Sequence, residues 1–136
     1  MAELILKARR VSKGRAEGEA IVLKEAFSFL GSVDRTTGVI CDKEHELAGQ
    51  SIAGKILVFP YGHGSTVGAY EMLDMVRYGT QPRGILNLRS DPVIAVGAII
   101  SDIPMMDRPD GNPLELIRTG DRVVLDADAE VVTIYR

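Results

Sequence analysis

One stretch constrains this chain more than any other. Lys55-Ile56-Leu57-Val58-Phe59 is a β-branched and aromatic run, cut off at once by Pro60-Tyr61-Gly62-His63-Gly64. That composition reads as a buried strand. From Ser65 the pattern changes period. Ala69, Met72, Leu73 and Val76 fall at i, i+3, i+4 and i+7, which predicts one apolar helix face over 65–78. Glu71 and Asp74 sit off that face, Gly79 suits a C-cap, and Pro82 forbids continuation. A buried strand running through a glycine loop into an amphipathic helix places the chain among α/β folds.

The remainder agrees with a mixed α/β domain holding more strand than helix. Leu4 to Val11 reads as a strand, Ser12-Lys13-Gly14-Arg15 as a turn, and Gly18 to Leu23 as a second strand, which together predict a hairpin. Val33 to Gly38 is a surface loop and Val39-Ile40-Cys41 a brief strand. Gly84 to Leu88 is another strand. Asp91-Pro92 has the form of a helix start, so the apolar run Val93 to Ile100 is read as a helix ending before Pro104. Leu114 to Ile117 suits one helical turn. Arg122–Leu125 and Val131–Tyr135 form a closing hairpin around Asp126-Ala127-Asp128-Ala129. No repeat or linker divides the 136 residues, so residues 1–136 are taken as one domain.

Composition excludes several functions. Nineteen acids against sixteen bases give a net charge of −3, without the basic excess that grips nucleic acid or anionic membrane. No apolar run reaches the ~18 residues of a membrane span. Met1-Ala2-Glu3 lacks the charged start of a signal peptide, so a cytoplasmic protein is expected. Cys41 stands alone and reads as a small buried hydrophobe. One thiolate cannot hold an iron–sulfur cluster, which takes about three or four. His45 and His63 are too few and badly spaced for zinc. No metal site is therefore assigned to this chain, and any metal chemistry must involve another one.

The densest chemical signal is Tyr61-Gly62-His63-Gly64-Ser65-Thr66-Val67-Gly68. Glycines let the backbone approach a ligand closely, and free N–H groups at a helix start favour an anion. Gly62, Gly64 and Thr66 are the candidate substrate- or anion-binding residues. Ser65 is the candidate catalytic residue. Its alkoxide would lie in the positive end of the helix field, where a very weak acid becomes useful as a base. A serine at this position is also a favoured N-cap, and the two roles are compatible. A Walker A loop needs Gly-Lys before the hydroxyl residue, and there is no lysine here. A nucleophile elbow needs glycines two before and two after the serine, where this chain has His63 and Val67. The glycine spacing also misses the dinucleotide fingerprint by one residue. His45 reads as a surface residue, and Asp102, Asp107 and Asp110 as caps and turns. Met105-Met106 suits either core or a partner surface. Lys55, Arg83 and Arg89 are three cations that a substrate phosphate could meet.

These residues carry a family resemblance. Lys13-Gly14-Arg15 with Gly18-Glu19-Ala20, residues 28–34, Thr37-Gly38-Val39-Ile40, residues 54–60, Gly64-Ser65-Thr66-Val67-Gly68 and residues 91–100 resemble the small subunits of the aconitase X family. The resemblance covers nearly the whole chain, in order. It implies a swivelling β/β/α fold, like the mobile domain of aconitase. It also implies a large catalytic subunit carrying the iron–sulfur cluster, with none bound by this chain. The implied reaction dehydrates a phosphorylated hydroxy acid, (R)-5-phosphomevalonate, to trans-anhydromevalonate 5-phosphate in the archaeal mevalonate route to isoprenoids. The family's proton-accepting serine falls on Ser65, and His63 stands where related chains often carry arginine. Two other readings remain: another dehydratase of this family, acting for example on hydroxyproline, and a non-catalytic module that binds a phosphorylated metabolite.

Overall fold

The computed structural model describes residues 3–62 and 67–135. Its elements in chain order are β1 (Glu3–Lys7), β2 (Arg9–Ser12), β3 (Arg15–Val22), α1 (Phe29–Ser32), β4 (Ile56–Phe59), α2 (Val67–Tyr78) and β5 (Gly84–Asn87). After these come α3 (Pro92–Ile100), β6 (Met105–Asp107), α4 (Pro113–Leu116), β7 (Arg122–Asp126) and β8 (Val131–Tyr135). The strands form one sheet in the order β1-β8-β7-β3-β4-β5-β6-β2. Strands β3, β4, β5 and β6 run parallel, and the rest pair antiparallel.

The two edge strands are also neighbours in the chain. Only Ala8 separates β1 from β2, and two virtual Cα–Cα bonds reach at most about 7.6 Å. The sheet must therefore curl until its edges nearly meet. Side chains alternate across it. Ala20, Val22, Ile56, Val58, Leu86 and Met106 point into the curl, against Leu6, Val123, Leu125, Val132 and Ile134. Ile21, Leu57, Phe59, Ile85 and Met105 point outward, beneath Phe27, Phe29, Met72, Met75, Ile94 and Ala98. The parallel strands are thus buried on both faces, which explains the unbroken apolar run in β4.

The expected hairpin between Leu4–Val11 and Gly18–Leu23 does not form. The first stretch breaks at Ala8 into two strands on opposite edges, and β3 pairs with β4 and β7 instead. A turn signal at residues 12–15 reverses the chain but does not dictate which strands pair. Val39–Cys41 makes only isolated bridges, Val33 with Ile40 and Val39 with Ser51. Cys41 is exposed, contrary to the buried reading: Ile40 takes the core position in this irregular stretch, and Cys41, the next residue along, does not enter it. Met105 and Met106 are core residues, one on each side of β6.

The two long helices form for local reasons. Asp91 caps α3, its Oδ2 accepting from the N–H groups of Val93 at 3.0 Å and Ile94 at 3.3 Å, and Pro92 opens the first turn. That cap overrides the strand preference of a β-branched run. Helix α2 buries Ala69, Met72 and Met75, whereas Leu73 is exposed. Its inward face is therefore rotated from the expected one, because α3 packs along the Ala69–Met72 side. The helices touch closely at Gly97. A Cβ there would lie 2.5 Å from the Met72 sulfur and 3.2 Å from the Ala69 Cα.

Candidate functional site

In open parallel sheets the ligand crevice lies outside the carboxyl ends of the strands. Here that rim comprises the ends of β4, β5 and β6, followed by Pro60-Tyr61-Gly62, Leu88-Arg89-Ser90 and Arg108. The rim is laced by main-chain bonds. The Pro60 carbonyl accepts from the N–H groups of Leu88 at 2.9 Å and Arg89 at 3.3 Å. The Leu88 carbonyl accepts from Arg108 at 3.0 Å, and the Tyr61 carbonyl from Phe27 at 3.1 Å. Asn87, fully buried at the end of β5, donates Nδ2–H to the Phe59 carbonyl at 3.0 Å.

An ion pair between a buried carboxylate and an exposed guanidinium anchors the far side of this rim. Asp107 is 1% exposed and receives both Nε and Nη2 of Arg9, at 2.8 and 2.7 Å. Its Oδ2 also accepts the Ser90 N–H at 3.1 Å. Burial pushes the Asp107 carboxyl up, but the hydrogen bonds from Arg9 and Ser90 and the Arg9 charge together outweigh it and hold the group below its ordinary value. The sequence reading of Asp107 as a cap or turn residue understated it. The pairing with Arg9 joins positions 98 residues apart, which no local pattern announces. Asp110, in the bend after β6, also acts at long range, accepting the Lys7 N–H at 2.9 Å across 103 residues, and Asp102 is an exposed turn residue with φ of 55°.

The glycine-rich corner joins this rim to α2. Gly62 is buried and bridges Phe27, and a Cβ there would clash with the Ile94 side chain. A glycine is required at this position so that α3 can close on the end of β4. His63, Gly64, Ser65 and Thr66 lie outside the described residues. The corner is bounded on one side by Gly62 and on the other by the first turn of α2, where Gly68 faces Val93 Cγ1 at 3.6 Å from an added Cβ. Beside it, Tyr70, Val96 and Ile100 are exposed. With Ala69, Pro92 and Val93 they line an apolar groove of about 500 Å³ between α2 and α3.

The three candidate cations separate by topology. Lys55 and Arg83 precede β4 and β5, at the amino ends of parallel strands, and are occupied there. Lys55 pairs with Glu19 at 3.0 Å, and Arg83 donates to the Glu17 carbonyl at 3.3 Å. Arg89 follows β5, on the carboxyl rim, its guanidinium 4.4 Å from the centre of the Tyr61 ring. His45 packs edge-on to Phe27, and its Nδ1 accepts the Leu47 N–H at 3.1 Å. Among the described residues no three His, Cys, Asp or Glu side chains gather as a metal site. No helix among them is long and apolar enough to cross a membrane.

A family description, the aconitase X swivel domain, matches residues 5–134. The chain belongs to the aconitase X swivel-domain family. Its fold superposes on the crystal structure of Thermococcus kodakaraensis aconitase X in its holo-form with a TM-score of 0.92. That match is at 46% identity and covers 98% of this chain and 99% of the other. Among curated swivel-domain relatives, the phosphomevalonate dehydratase small subunit of Methanothrix thermoacetophila is 52% identical, covering 95% of this chain and 93% of its own. The same-named protein of Methanocaldococcus jannaschii is 50% identical, covering 95% and 96%. The aconitase X architecture expected from the sequence is therefore the one observed.

Proposed function

We propose that this chain is the small subunit of a phosphomevalonate dehydratase. Such a hydro-lyase removes water from (R)-5-phosphomevalonate to give trans-anhydromevalonate 5-phosphate, in the archaeal mevalonate route. One observation carries the reading. Relatives bearing that name align over nearly the full length of both chains at about half identity. The name of those relatives implies a large subunit, and the exposed apolar groove beside the glycine corner supports a partner that covers it.

The iron–sulfur cluster is expected in that large subunit. The residues of this chain do not fit one: its single cysteine is exposed, far short of the three or four thiolates required.

What this chain supplies is the base and its setting. Dehydration of a β-hydroxy acid takes a proton from the carbon beside the carboxylate while hydroxide departs from the next carbon. Ser65, between the end of β4 and the start of α2, accepts that proton on Oγ. The N–H groups of the corner, from Gly62 through Gly64 and Thr66, hold the developing negative charge. Closure of this domain on its partner excludes water from the site.

The test is co-expression with the large subunit under anaerobic conditions and an assay for water loss from phosphomevalonate. This chain alone should be inert, and the complex active. Ser65→Ala should preserve assembly and substrate binding but lower kcat by about three orders of magnitude or more, as for other essential proton-transfer groups. Near-normal turnover in that variant removes Ser65 from the chemistry. Substrate binding by this chain alone, with no gain on adding the partner, would favour a binding module instead.

A further inference from the structure

We infer that Arg89 is the residue that receives the phosphate of the substrate, an inference that rests on the dehydratase reading above. Three observations converge on it. The first is position. Of the three cations singled out in the sequence, Arg89 alone stands on the carboxyl rim, one strand over from the β4–α2 corner, while Arg108, also on that rim, follows β6 one strand further away. The second is availability. Arg89 is exposed, and no carboxylate pairs with it among the described residues, whereas Lys55 and Arg83 are engaged at the opposite end. Among the described residues its guanidinium lies over the face of Tyr61. Stacking on a ring leaves the charge unneutralised and the in-plane N–H donors open, the fork that matches a phosphate bidentately.

The third is rigidity. The Arg89 backbone is clamped on both sides. Its own N–H and that of Leu88 donate to the Pro60 carbonyl, and the next N–H, of Ser90, donates to Asp107. Asp107 is itself fixed by both arms of Arg9. A fixed backbone limits the ordering cost of binding to the side chain itself. The chemistry of the proposed reaction also selects which end of the substrate it meets. The hydrogen removed lies beside the carboxylate, so the carboxylate end belongs at Ser65. The group that extends past the corner to the neighbouring strand end is the phosphate.

The experiment uses the anaerobic complex with its large subunit and compares wild type, Arg89→Gln and Arg89→Lys. Arg77→Gln, on the far end of α2, controls for the loss of one charge. For Arg89→Gln the KM for phosphomevalonate should rise about tenfold or more, the loss of a charge-assisted bidentate contact. kcat should change little, and Arg89→Lys should recover part of the loss. Inorganic phosphate should inhibit wild type competitively and Arg89→Gln about tenfold more weakly, while inhibition by acetate stays equal. An unchanged KM, a fall in kcat alone, or parallel weakening of phosphate and acetate overturns the inference and leaves the dehydratase reading intact. If wild type fails to dehydrate phosphomevalonate, that reading fails instead. Phosphorus NMR titration of the same complexes with inorganic phosphate then decides Arg89: weaker binding in Arg89→Gln upholds it as the phosphate ligand, and equal binding overturns it.

Discussion

Asp107 and Arg9 form a pair whose two members are not equivalent. Asp107 is buried, while the Arg9 side chain is 52% exposed. Removing the carboxylate in Asp107→Asn leaves a cation that water can hydrate, at a cost of about 1–2 kcal/mol. Removing the cation in Arg9→Met strands a buried carboxylate and should be the larger loss of the two. Urea unfolding of both variants checks this, and equal losses would refute the asymmetry. The same pair sets an acid limit. The folded-state pKa of Asp107 is lowered, so its contribution is complete above the unfolded value of about 3.9 and is lost as pH falls below that toward the folded value. Wild type should therefore lose stability more steeply than Asp107→Asn as pH falls below about 4. Parallel curves would contradict that assignment.

The seam between α2 and α3 is set by small residues. Gly97→Ala should destabilise the protein by about 1–3 kcal/mol, because its methyl would meet both the Met72 sulfur and the Ala69 backbone. Met72 has rotamers to spare, but the Ala69 Cα does not move without its helix. Thermal unfolding measures the loss, and a neutral Gly97→Ala would show that α3 slides freely. At this scale the sequence was informative where signals are local. The Asp91-Pro92 cap identified α3 against its strand-like composition, and the β7–β8 hairpin follows from its turn, where Asp126 Oδ1 accepts the Ala129 N–H at 3.0 Å. The α2 face was misjudged by one position. Leu73 satisfies the helical period, but Met75 lies under the core, and only the direction of the neighbouring helix chooses between them. Strand β6 escaped notice because three residues are too few to establish a period.

Across the molecule, stability should follow the two-sided burial of the parallel strands. Native-state hydrogen exchange should be slowest in β3, β4 and β5, which carry both cores, and faster in β1 and β2, which close the curl without pairing to each other. Protection of β1 equal to that of β4 would contradict this ordering. The break at Ala8 illustrates what a single sequence withholds. Nothing in residues 4–11 marks where one strand becomes two, because the cause lies in their partners, β8 at residues 131–135 and β6 at residues 105–107. Cys41 was misread for a related reason: cysteine is usually buried, and only the tertiary packing decides that Ile40, not its neighbour, enters the core.

By itself the amino-acid sequence determined the α/β class, the strand–glycine–helix corner that bears Ser65, the caps and the closing hairpin. Each of these is a contest between neighbouring residues over a few dihedral angles. The tertiary structure alone decided which strands pair, which face of α2 lies inward, and which of three similar cations stands on the carboxyl rim beside that corner. Those outcomes depend on contacts between residues far apart in the chain. The energy of such contacts is realised only when the sheet has curled and both of its faces are covered.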